Sequence, residues 1–159
     1  LPKGENFKAA EFIGTSLANR ALEIIQSATV VKDPPIHTQR RIFQVPMENV
    51  MFKTLIKLKV FPNLMNKEGN IETEVNRITI GDAEFLTLPG EVLPNIGFML
   101  KRNMTGKTKF LLGLTCDELG YILCEADFGL KIYDYESRVS VGSQMGEIMV
   151  QNLKQLLKH

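Results

Sequence analysis

With 159 residues, 44% of them hydrophobic, the chain is long enough to bury one sizeable core and falls in the size range of a single domain spanning residues 1–159. Its 19 Lys plus Arg nearly balance 18 Asp plus Glu, leaving a formal charge of +1, which argues against charge-driven binding to nucleic acid or to an anionic membrane. The longest apolar stretches, such as Phe110 to Leu114, fall well short of the roughly 20 residues that a membrane-spanning helix needs, so no transmembrane segment is expected.

The opening Leu1-Pro2-Lys3-Gly4-Glu5 has neither an initiator Met nor a charged-then-apolar signal, and it reads as the start of a cut or processed chain. Asn6 is placed to cap a helix over about residues 7–28, in which Ala10, Ile13, Leu17, Ala21, Ile25 and Ala28 recur at helical spacing between charged positions. Pro34-Pro35 enforces an extended turn before a strand from Arg40 to Val45. Asn49 then caps a second helix carrying Val50, Met51, Leu55 and Leu58, which Phe61-Pro62 stops.

Ile71, Thr73 and Val75 alternate along a strand that continues through Ile78 and Ile80, and Gly81-Asp82 supplies the two-residue turn of a hairpin whose returning strand is Ala83 to Leu88. Pro89-Gly90 breaks that strand, so Glu91 is expected at the strand's end, where a third helix with Ile96, Met99 and Leu100 begins. Thr108 to Leu114 has the near-continuous apolar character of a buried strand, and it empties into the polar run Thr115-Cys116-Asp117-Glu118 just before Tyr121. From about Met145 a last helix carries Ile148, Met149, Leu153, Leu156 and Leu157 as one apolar stripe, read as core packing. Helices alternating with strands, plus one tight hairpin, define a layered α/β domain with a mixed sheet flanked by helices. In such sheets ligands collect beyond the carboxyl ends of the strands, where Glu91 and Tyr121 are both placed.

Several chemistries drop out. Gly106-Lys107-Thr108 has the ending of a phosphate-binding loop, but the position five before Gly106 is Lys101 rather than glycine. The chain has no Gly-x-Ser-x-Gly and no His-Glu-x-x-His, and its two histidines are the loop residue His37 and the terminal His159, so neither a self-contained triad nor a His-rich metal site is expected. Cys116 and Cys124 are too few for a disulfide scaffold and match no compact metal knuckle, so they are read as two partly buried thiols in a reducing compartment rather than a disulfide. The triplet Asn103-Met104-Thr105 would accept a glycan only in a secreted eukaryotic protein.

Three segments taken in order carry the chemistry: Leu88-Pro89-Gly90-Glu91, then Gly113-Leu114-Thr115-Cys116-Asp117-Glu118-Leu119-Gly120-Tyr121, then Tyr135-Glu136. Together they resemble the neutral, non-lysosomal ceramidases, whose catalytic domain has a Pro-Gly-Glu after a strand, a later Gly-Leu-x-Asn-x-x-x-x-Tyr loop and a downstream Tyr-Glu. The opening helix, with Phe7, Gly14, Leu17-Ala18 and Ala21, is similar to the family pattern ahead of this region, so the resemblance spans most of the chain. It implies that the chain is the C-terminal portion of a larger zinc-dependent amidohydrolase domain acting on an N-acyl, lipid-like substrate of the sphingolipid kind. With Gly113 and Leu114 setting the register, it implies Glu91 and Tyr121 as two zinc ligands. Tyr135 is implied as the hydroxyl that donates to the developing oxyanion or supports the ligands, with Tyr133 as the rival for that role. Cys116 stands where the family has Asn, the Glu91 to Tyr121 interval is shorter than in the ceramidases, and the Tyr121 to Tyr135 interval is slightly longer.

The family's two zinc-binding histidines and its serine belong to sequence upstream of this region. The expected partner is therefore an upstream segment of the same protein, or a second copy through self-association, with the chain inert for hydrolysis by itself. Taken one at a time, Glu91 reads rather as a carboxylate favouring a helix start and Tyr121 as an aromatic at the core's edge, and only their order with Gly113-Leu114 and Tyr135-Glu136 reverses that preference. That leaves a rival reading: a non-catalytic α/β association domain that keeps the scaffold without a working metal site.

Overall fold

The computed structural model describes residues 6–61 and 64–158; the Leu1–Glu5 opening, the Pro62 helix stop and His159 lie outside the described residues. The chain divides between Pro34 and Pro35 into two compact units. The first holds helix α1 (Asn6–Gln26), close to the expected span, with Asn6 as its first residue and an exposed Arg20–Glu23 pair at 2.9 Å on one side. None of its residues is buried, and Phe12, Ile13, Leu17 and Ile25 are all exposed.

The second unit is the layered α/β body. Its sheet contains β1 (Ile36–Pro46), β2 (Asn70–Ile80), β3 (Ala83–Thr87) and β5 (Thr108–Leu112) in the order β1-β2-β3-β5, antiparallel except for the parallel β3–β5 pair. The β2–β3 hairpin closes with Ile80 opposite Ala83, so Gly81-Asp82 is the two-residue turn the sequence indicates. Helix α2 (Val50–Lys57) starts at Asn49, whose side chain accepts from the Met51 and Phe52 amides, a cap worth about 1 kcal/mol. Helices α3 (Pro94–Asn103) and α5 (Met145–Leu156) complete the layer.

Alternation on the strands turns Phe43, Val45, Ile71, Val75 and Leu86 inward, where they join Ile96 and Leu100 of α3 and Met145, Met149 and Leu153 of α5 in one core. Truncating a side chain buried this completely, Leu86→Ala for instance, costs about 2–5 kcal/mol. One carboxylate sits among them: Glu84 of β3, with no exposed surface, accepts from Arg77 Nε at 2.7 Å, the Thr105 amide at 2.8 Å and the Gly106 amide at 2.7 Å. It thereby fastens the α3–β5 loop to the sheet.

Two expectations are corrected. The strand at Thr108 is not buried: β5 is the sheet's edge, bonded through β3, and Phe110 keeps 41% of its surface exposed while stacking on Phe85 at 4.6 Å. The third helix does not begin at Glu91. Glu91 and Val92 form the short strand β4, and the helix starts only at Pro94, because the Glu91 and Leu93 amides are committed to the Gly120 and Ile122 carbonyls, whereas proline has no N–H to satisfy. No helix among the described residues is long and apolar enough to cross a membrane.

Candidate active site at the β4–β6 pair

Beyond β3 the chain runs through Leu88-Pro89-Gly90 alongside the end of β5, with the Leu88 amide bonded to Leu112 O at 2.8 Å and the Leu114 amide to Gly90 O at 3.1 Å. Here the two segments that carry the sequence motifs cross at close range. A Cβ on Gly90 would lie 2.4 Å from the Gly120 carbonyl oxygen, and one on Gly120, which has φ of 77°, would lie 2.0 Å from that of Val139. Only glycine permits both approaches.

The crossing seats β4 (Glu91–Val92) parallel to β6 (Tyr121–Ile122), with Glu91 directly opposite Tyr121. The register is held by Glu91 N to Gly120 O at 2.9 Å and Leu93 N to Ile122 O at 3.0 Å, while Tyr121 N to Val139 O at 3.0 Å ties β6 to the segment around Val139. Directly paired residues on adjacent strands project to the same face. Glu91 and Tyr121, 30 positions apart in sequence, are therefore immediate neighbours, on a separate two-stranded sheet rather than at the end of the main one.

Helix α4 (Asp134–Arg138) supplies the third member. The Tyr135 ring meets the Tyr121 ring edge to face, with centroids 5.8 Å apart at 67°. Tyr133 ends the 3₁₀ turn Lys131–Tyr133 just before α4, so Tyr135 is the downstream tyrosine packed on Tyr121. Partial burial first, then the Glu91 charge, then Tyr135 and Glu136, push the Tyr121 phenol above its ordinary pKa. The cluster is thus two carboxylates and two phenols, with Tyr121 held protonated in the absence of a cation.

Glu136 was not assigned a role by sequence reasoning, although its position next to Tyr135 was the available signal. The loop between β5 and β6 places Leu114 and Cys116 at positive φ, 52° and 77°, and the Asn76 amide donates to the exposed Cys116 sulfur at 3.3 Å. Both cysteines are free thiols, but the expected partial burial holds for Cys124 alone, Cys116 lying exposed on its loop; burial and Asp127 hold the Cys124 thiol above its usual pKa. His37 lies on β1 opposite Thr79 and takes no part in the cluster.

Among the described residues, no group of three or more His, Cys, Asp and Glu side chains converges as a metal site. A catalytic zinc takes three protein ligands and an open position, so Glu91 and Tyr121 are at most part of a ligand set and do not hold the ion by themselves. Comparison with known protein families and with curated proteins finds no match to the chain.

Proposed function

We propose that this chain carries the Glu and Tyr part of the active site of a zinc-dependent amidohydrolase resembling the neutral ceramidases, which cleaves an N-acyl, lipid-like substrate once an upstream segment or a partner copy supplies the remaining ligands. The observation that supports this reading is the direct pairing of Glu91 with Tyr121 across β4 and β6, with Tyr135 packed on Tyr121, because the same three residues occupy the motif positions in the sequence. In that assembly the zinc would polarise the scissile carbonyl and bring its bound water to a pKa of about 7. Glu91 would contribute its negative charge, and Tyr121 would give up the proton that its surroundings otherwise retain. Tyr135 would hold the Tyr121 ring in place and offer its hydroxyl to the developing oxyanion.

A second reading, a non-catalytic association domain, is favoured by the apolar side chains left exposed on the sheet, Ile36 and Ile42 on β1 and Phe110 and Leu112 on β5. Hydrolysis of an N-acyl sphingoid substrate by the full gene product, with and without a chelator, separates the two. Chelator-sensitive release of fatty acid supports the amidohydrolase; no release from a metal-replete, folded protein leaves the association domain.

A further inference from the structure

Asn49 does more than start α2. Its Oδ1 accepts from the Met51 amide at 2.9 Å and the Phe52 amide at 3.2 Å, while its Nδ2 donates to Arg138 O at 2.8 Å and to Ser140 O at 2.7 Å. Both hydrogens and the acceptor oxygen of one amide are thus in use, and only one orientation of the group meets two N–H groups on one side and two carbonyls on the other. Arg138 is the last residue of α4, the helix that carries Tyr135 and Glu136, and Ser140 bridges Gly120, the residue before Tyr121. The same grip is extended by the Glu48 and Asn49 amides, which donate to Val141 O at 2.9 Å and 3.1 Å, and by the Glu48 carboxylate, which accepts from the Ser143 amide at 2.7 Å.

We propose that Asn49 is a positioning residue of the site, its side-chain amide tying the C-terminal end of α4 to the start of α2 so that Tyr135 and Glu136 stay against Tyr121. The inference rests on the reading of Glu91, Tyr121 and Tyr135 as one site, but the tie itself is a property of this chain without metal or substrate. Capping needs only an acceptor oxygen, which Asp and Ser also provide. The tie needs two N–H donors. Asp would set an oxygen against two carbonyl oxygens, and Ser is too short to reach both.

The test is the Tyr121–Tyr135 ring contact followed by proton NMR with ring-labelled tyrosine; the chain has 3 tyrosines and no tryptophan, so the rings can be assigned. The wild-type chain should show a ring-to-ring nuclear Overhauser cross-peak between Tyr121 and Tyr135. In Asn49→Asp and Asn49→Ser this cross-peak should fall at least tenfold, while the Met51 and Phe52 amides keep helical shifts and the Leu86 and Met149 methyls keep their core shifts. A purely capping or stabilising role would not move the ring contact in the folded population. Wild-type cross-peak intensity in both folded variants overturns the proposal, and so does loss of the whole core in both, which would make Asn49 a determinant of the fold rather than of the site. If the ring contact is lost as expected and the full gene product proves to hold no zinc, the tie stands and the amidohydrolase reading falls.

Discussion

Replacing Glu84 by Ala removes a carboxylate sealed in the sheet's helix-facing layer and strands three donors: Arg77 Nε and the Thr105 and Gly106 amides. Each orphaned amide costs about 1–3 kcal/mol, and breaking a buried ion pair from one side costs about 3–5 kcal/mol. These overlap, since the same desolvated carboxylate serves all three donors, and a net loss of about 4 kcal/mol follows, a large share of the roughly 5–15 kcal/mol that holds a domain together. At about 3–5 °C per kcal/mol for a unit of this size, the melting temperature should fall by about 12–20 °C in a calorimetric or circular-dichroism scan. Burial pushes the Glu84 carboxyl up, but the Gly106 amide, the Arg77 guanidinium and the Thr105 amide together outweigh it and hold the group below its ordinary value. A depressed carboxyl stabilises the fold above the unfolded pKa of about 4.3, and that stability is lost as pH falls through the folded value. The wild type should therefore lose stability faster than Glu84→Gln between about pH 5 and pH 3. A melting temperature lowered by less than about 4 °C in Glu84→Ala, or parallel pH profiles, would refute this account of the sheet.

Gly120→Ala should break the strand crossing, because its Cβ meets Val139 O and its φ is positive; a loss of about 2 kcal/mol or more in denaturant titration is expected, and near-wild-type stability would contradict the crossing geometry. Glu91→Gln should lower the Tyr121 phenol pKa towards 10, seen in tyrosinate absorbance of the metal-free chain; an unchanged titration would separate the two residues. Thiol-reagent kinetics should count two free thiols, with exposed Cys116 reacting quickly and Cys124, half-buried beside Asp127, slowly; a single phase at the fast rate would contradict the packing of Cys124.

Features set by neighbouring residues were legible in the sequence. The α1 periodicity, the Asn49 cap, the Gly81-Asp82 hairpin and the α5 stripe all emerge within a few residues of where their signals lie. The mixed α/β class followed from their alternation. The β4–β6 pair was not legible, because a two-residue strand has no period to read and its partner lies 30 positions away; Pro-Gly-Glu is also the pattern of a helix start, and only the bond from the Glu91 amide to Gly120 O distinguishes the two. Apolar composition misplaced β5, since an edge strand and a buried one can share residues and differ only in neighbours. Motif spacing left Tyr133 and Tyr135 open, and the turn ahead of α4 is what brings Tyr135 rather than Tyr133 onto Tyr121. The second task of Asn49 depends on Arg138 and Ser140, about 90 residues on, and no local pattern announces it.

The central claim is that Glu91 and Tyr121 are ligands of one zinc ion completed from outside this chain. Elemental analysis of the purified full gene product, its Glu91→Ala and Tyr121→Phe variants, and the 159-residue chain alone tests it most directly. A phenol of ordinary pKa about 10 and one carboxylate do not offset the dehydration of the ion without imidazole partners, so the chain alone should retain less than a tenth of an equivalent of zinc. The full gene product should retain about one equivalent, Glu91→Ala should lose it, and Tyr121→Phe should hold it more weakly with the fold intact. Stoichiometric tight zinc in the chain alone, or undiminished zinc in the full-length Glu91→Ala variant, would contradict the assignment.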